Sequence, residues 1–139
     1  GYDVPEDATN IVLIADDTAL PAAGTILEAL PPGCRAKILA EIADAGEERA
    51  LSPLVESAPV WLRRDAHDGV AGEPLEAAVR ALAAPSDGAL WWIACEAAAM
   101  RRIRDHLVRD RGVAPARIHT RGYWRLGETN YPDHDYGRD

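Results

Sequence analysis

Short unbroken apolar runs alternate with stretches of helical period along this chain, and that alternation limits its folds more than any single motif. IVLIA (11–15) is apolar throughout and ends at Asp16 and Asp17, the signature of a strand buried on both faces. A helical pattern follows over 18–30, with Ile26, Leu27 and Leu30 as its stripe. Pro21 is acceptable in its first turn, and PPG (31–33) stops it. Residues 36–42 are expected to form a second strand, and 44–58, with Gly46, Pro53 and the following Pro59, a loop or at most one irregular helical turn. A short third strand over 60–64 leads through a turn at 65–72 to a helix whose inner face is Leu75, Ala78, Val79 and Leu82, closed by Pro85. ALWWIAC (89–95) is the fourth strand and runs directly into a helix over 96–111, with Ala99, Met100, Ile103 and Leu107 turned inward and Gly112 past its end. Residues 117–124 complete the series. Strands alternating with helices make parallel βαβ units. The expected fold is therefore α/β: a doubly wound parallel sheet of about five strands in a three-layer sandwich. The domain spans 11–127, with a linker-like start over 1–10 and a polar tail over 128–139.

Charge narrows the partners. The 139 residues carry 15 basic and 23 acidic side chains, a formal net charge of −8. Such a field repels polyanions, so no nucleic-acid partner is expected. No apolar run approaches the ~20 residues that span a bilayer, so no membrane span is expected. Cys34 and Cys95 are too few for a disulfide framework and lack metal-ligand spacing. They are expected to be reduced thiols in a cytoplasmic protein. No histidine spacing suits a metal, and no GxGxxG, phosphate-binding P-loop or GxSxG motif is present. The only methionine, Met100, is internal, so the chain is expected to be processed or cut from something longer.

In doubly wound sheets ligands lie beyond the carboxyl ends of the strands, where strand order reverses. The residues just after each strand are therefore the candidates. Asp16, Asp17, Thr18 and Ala19 follow the first strand at a helix start, where an N-cap and an anion-binding turn are both open readings. Arg63 and Arg64 follow the third; paired guanidiniums suit a phosphomonoester or form a solvated surface pair. Cys95 and Glu96 follow the fourth, with Glu96 a natural helix cap. A nucleophilic role for Cys95 needs an adjacent base, which the sequence does not offer. Arg121, Tyr123, Trp124 and Arg125 cluster at the fifth, either as a ring-stacking or anion-holding group or as an apolar plug over the sheet edge.

Three segments carry a family resemblance: ADDTALPAAGTILEALPPG (15–33), WLRRD (61–65) with WWIACEAAAMRRIRDHL (91–107), and RGYWRLG (121–127). In order and spacing the chain resembles the C-terminal domain of siderophore-interacting proteins, the NAD(P)H-dependent flavin reductases of ferric siderophores. The resemblance implies a domain like the NADP-binding domain of ferredoxin reductases, and it implies an absent N-terminal flavin-binding β-barrel domain in cis that holds most of the FAD. It further implies hydride transfer to flavin and single-electron reduction of Fe(III) to Fe(II), with no catalytic side chain on this domain and no activity of the domain alone. By the same resemblance, Asp16, Asp17, Thr18 and Ala19 lie near the pyrophosphate and nicotinamide. Arg63 and Arg64 would grip an adenosine 2′-phosphate, favouring NADPH, and Cys95 and Glu96 would lie where the nicotinamide approaches. Tyr123 and Trp124 would face the flavin, and Arg121 and Arg125 would hold an anionic ferric siderophore. Cys95 stands where the family usually has glycine, so a side chain is expected to crowd the nicotinamide.

Two rival readings follow from the same pattern. A phosphoacceptor receiver domain shares the acidic pair after the first strand, but Lys37 is the only lysine and Arg63 and Arg64 stand where it needs an aspartate. A binding module of the same fold without catalysis is the other.

Overall fold

The computed structural model describes residues 2–48, 59–66, 69–83 and 88–124, and of Tyr123 the backbone. Arg125, residues 49–58 of the expected loop, Pro85 and the expected tail over 128–139 lie outside the described residues. The strands are β1 (Asn10–Asp16), β2 (Arg35–Ile42), β3 (Val60–Arg63), β4 (Leu90–Glu96) and β5 (Ile118–Trp124). The helices are α1 (Leu20–Glu28), α2 (Glu73–Ala81) and α3 (Ala97–Asp105). All strand pairs are parallel, in the order β3-β2-β1-β4-β5. This order excludes the receiver reading, whose doubly wound sheet runs 2-1-3-4-5.

The apolar run of β1 is buried on both faces because it is the central strand. Ile11, Leu13 and Ala15 pack with Leu20, Ala23, Ile26 and Leu27 of α1. Val12 and Ile14 pack on the opposite face with Leu75 and Val79 of α2 and Met100 and Ile103 of α3. β4 alternates the same way, Trp92 and Ala94 toward α1, Trp91, Ile93 and Cys95 toward α2 and α3. Each such Leu or Ile contributes roughly 1.5–3 kcal/mol by leaving water. The two-sided cover accounts for runs of continuous, not alternating, hydrophobicity. Tyr2 and Val4 also pack against the α1-side core, and the Tyr2 ring lies 4.6 Å from that of His119.

The expected helix over 96–111 divides into two geometries. Its α-helical part ends at Asp105, and His106–Asp110 widens into a π turn, with the Arg111 N–H donating to the His106 carbonyl. Just past that turn, Arg111 Nη2 donates to the carbonyls of Val79, Arg80 and Leu82 at 3.1, 3.2 and 2.6 Å, satisfying the open C-terminal end of α2.

Sheet order reverses between β1 and β4. β1 leads into α1 and β2 on one side, while β4 and β5 lie on the other. The crevice above the carboxyl ends of β1 and β4 is therefore the topological switch point.

Candidate functional site at the carboxyl ends of the strands

Asp16, the last residue of β1, is 1% exposed. Its Oδ1 accepts from the Thr18 N–H at 3.0 Å and the Thr18 hydroxyl at 2.5 Å, and its Oδ2 accepts from the Trp124 indole at 2.8 Å. Burial raises the Asp16 carboxyl above its ordinary value; the Thr18 and Trp124 hydrogen bonds pull it back in part, and Asp17 beside it adds to the rise. Trp124 reaches this position through a β-bulge. Cys95 of β4 pairs with Gly122 but Glu96 pairs with Trp124, so Tyr123 is the extra residue that re-aims the one after it.

On the other side, β2 places Glu41 opposite Asp16. Glu41 is fully buried, and Arg64 compensates it: Nη1 donates to Glu41 Oε2 at 3.0 Å while Nη2 donates to Asp17 at 2.9 Å. The remaining capacity of Glu41 is filled by the Gly72 N–H at 3.0 and 3.1 Å and the Leu75 N–H at 3.3 Å. One carboxylate thus holds the end of β2, the turn after β3 and the N terminus of α2. Gly72 is required there: its φ is +90°, and a Cβ would stand 2.3 Å from the Ala99 Cβ.

β4 ends in Cys95 and Glu96. Glu96 caps α3, its two oxygens accepting from the N–H groups of Ala98 and Ala99 at 3.1 and 2.9 Å. The Cys95 thiol is fully buried among the α2- and α3-side core residues and donates to the Glu96 carbonyl at 3.6 Å. Burial pushes it well above its ordinary value, with the charges of Asp16, Glu41 and Glu96 adding to the effect. It is no nucleophile. The side chain expected to crowd the nicotinamide is packed into the core, because even-numbered β4 residues face α1 and Cys95 faces α2 and α3.

The structure thus brings Asp16, Asp17, Thr18, Arg64, Glu96 and Trp124 to one rim. Ala19 is buried, so it contributes backbone alone. Arg63 and Arg64 are adjacent in sequence but do not act as a pair. Arg63 is exposed and held by Asp65, Nε to Oδ1 at 3.0 Å and Nη2 to Oδ2 at 3.4 Å. Arg121 lies lower in β5, opposite Ala94, and Arg125 is outside the described residues. Glu41 and Gly72 were not singled out by the sequence, although an acid in the apolar strand RAKILAEI (35–42) signals a buried charge that needs partners.

All three helix starts at this rim are met by a carboxylate: α3 by Glu96, α2 by Glu41, and the 3₁₀ turn Asp17–Ala19 that runs into α1 by Asp16, which accepts from the Thr18 N–H. Beside the start of α1 lies a cleft of about 510 Å³, lined by Asp17, Thr18, Leu20, Gly46, Glu47 and Glu48. It separates the β1–α1 turn from the loop after β2.

A parallel sheet of this order, with its loops and helix N termini gathered at the switch point, defines a doubly wound α/β domain of Rossmann type. More specifically, the chain belongs to the siderophore-interacting protein family, whose sequence profile matches residues 8–127. It is similar to a siderophore utilization protein of T. fusca, at 33% identity and a TM-score of 0.81 over 95% of this chain and 51% of that one. The same fold occurs in a siderophore-interacting protein of Aeromonas hydrophila, at 24% identity and a TM-score of 0.73 over 88% of this chain and 48% of that one. It occurs again in one from Acinetobacter baumannii, at 24% identity and a TM-score of 0.71 over 94% and 51%. The chain spans about half the length of these proteins. No helix among the described residues is long and apolar enough to cross a membrane.

Proposed function

We propose that this chain is the nicotinamide-nucleotide-binding domain of a flavin-dependent ferric-siderophore reductase, with a role in siderophore utilization. The observation that carries the reading is the β1–α1 turn at the switch point, where Thr18 is exposed beside the cleft. Carboxylates meet the starts of α2 and α3, and Asp16 holds the turn into α1 through the Thr18 N–H. A helix start after the first strand of a doubly wound sheet is where a pyrophosphate is held, by backbone N–H groups and the helix dipole. Family membership supports the same assignment.

The residues present fit such a ligand. Thr18 is exposed at the turn; its hydroxyl proton is donated to Asp16, which fixes the side chain and leaves its oxygen as an acceptor. The adjoining cleft offers Asp17, Glu47 and Glu48 as acceptors for sugar hydroxyls. The chemistry that the bound nucleotide and a flavin supply is hydride transfer followed by one-electron reduction of Fe(III), whose Fe(II) product hard-oxygen siderophores hold weakly. This chain's part is positional. Asp16 fixes both the turn and the Trp124 indole, while Glu96 fixes the start of α3 across the crevice. Trp124, Tyr123, Arg121 and Arg125 are assigned to the flavin and siderophore side, facing an N-terminal β-barrel domain.

The test uses the full polypeptide that contains this segment. It is expected to be yellow and to oxidise NADH or NADPH with a ferric siderophore as acceptor, releasing Fe(II) to a ferrous chelator. A colourless polypeptide, or one indifferent to both nucleotides, overturns the proposal.

A further inference from the structure

From the charge arrangement around the α1 cleft we infer that the site selects a nucleotide without a 2′-phosphate: NADH over NADPH. The inference rests on the proposed nucleotide-binding function and sharpens it, and it reverses what the Arg63–Arg64 dipeptide implies on its own.

In a doubly wound sheet the adenosine ribose lies between the β1–α1 turn and the segment after β2. An acid there accepts the 2′-hydroxyl, and an arginine there accommodates a 2′-phosphate. In this chain that space is the cleft bounded by Asp17, Thr18 and Leu20 on one side and Gly46, Glu47 and Glu48 on the other. Among the described residues its lining carries three carboxylates and no basic side chain. Among the described residues, both neighbouring guanidiniums are already committed. Arg64 is 17% exposed and donates to the buried Glu41 and to Asp17. Releasing it toward a phosphate would leave Glu41 as an uncompensated charge in the interior, a cost that a phosphate contact does not recover. Arg63 is bound by Asp65, and the charges of Glu48 and Asp44 also act on it. Among the described residues, a 2′-phosphate brought to this cleft meets like charges with no free cation to offset them, whereas a ribose diol finds acceptors. The selectivity comes from repulsion of the wrong ligand as much as from attraction of the right one.

Anaerobic reduction of the flavin in the full polypeptide tests this directly. NADH is expected to exceed NADPH in kcat/KM by about tenfold or more, the range that one to two unfavourable charge contacts supply. Raising the salt concentration should narrow the ratio, since screening weakens like-charge repulsion; a purely structural role for the acids predicts no such narrowing. Glu47→Gln combined with Glu48→Gln should move the ratio toward NADPH by several-fold. Arg63→Ala should leave the ratio where it is, while a guanidinium clamp for the 2′-phosphate would lose NADPH selectively. Equal or preferred use of NADPH, or a ratio insensitive both to salt and to the paired Gln variant, overturns this inference and leaves the nucleotide-binding proposal standing. Indifference to both nucleotides overturns the proposal itself, and the inference with it.

Discussion

Asp16 and Glu41 stand opposite each other on adjacent strands, both buried, and are kept in the interior by different means. Glu41 is met by a full positive charge, Arg64, together with two backbone N–H groups. Among the described residues, Asp16 is met by neutral donors only: an indole, a hydroxyl and one N–H. The first arrangement neutralises a charge and ties three elements together. The second leaves a carboxylate whose ionised form is disfavoured by its surroundings, at the place where β1, β5 and the candidate crevice meet. The rim is thus stiff and charge-compensated toward β2 and β3, and more weakly held toward β5.

The largest expected effect tests the compensated side. Arg64→Met leaves Glu41 buried without its partner, and urea unfolding should show a loss of about 3–5 kcal/mol. Adding Glu41→Gln, which keeps an acceptor for Gly72 and Leu75, should restore a large part of it. A loss under about 1 kcal/mol would mean that the two sides do not differ as described. Gly72→Ala comes next. Its positive φ and the close Ala99 Cβ give an expected loss of about 2–4 kcal/mol, and Ala99→Gly in the same chain should relieve the steric part. If the double variant unfolds no later than Gly72→Ala alone, the close contact is not the cause.

On the weaker side, Trp124→Phe removes the indole donor and leaves Asp16 Oδ2 without it, an expected loss of about 1–3 kcal/mol. A change larger than that of Arg64→Met would invert the comparison. The smallest effect concerns pH. Because the folded-state pKa of Asp16 is raised from 3.8, the folded protein holds a proton that the unfolded chain has released. The contribution is therefore fully present below about 3.8 and is lost as pH rises through the folded value. Asp16→Asn should flatten that decline in unfolding free energy measured at a series of pH values; an unchanged slope would assign the decline to another group.

Much of the fold was legible in the sequence for local reasons. The buried runs at 11–15 and 89–95 need cover on both faces, and the helical stripes at Leu75 and Val79 and at Met100, Ile103 and Leu107 supply it. Glu96 as a helix cap was also legible, since capping is decided within three residues. The π turn at His106–Asp110 was not, and neither was the Arg111 guanidinium beside it, which serves carbonyls of another helix. Nor did the sequence separate Arg63 from Arg64. Neighbours at the end of a strand look alike on paper, yet Arg63 closes on Asp65 two residues on while Arg64 reaches back to Glu41 of β2 and to Asp17 in the turn after β1.

The sequence by itself determined the order and type of the elements, the core stripes and the family, because hydrophobic period and short motifs act over a few residues. Only the tertiary structure decided which carboxylates are buried and what satisfies them. Arg64 meets Asp17 across 47 positions and Trp124 meets Asp16 across 108, and such pairings exist only once strand order and a one-residue bulge have set the register.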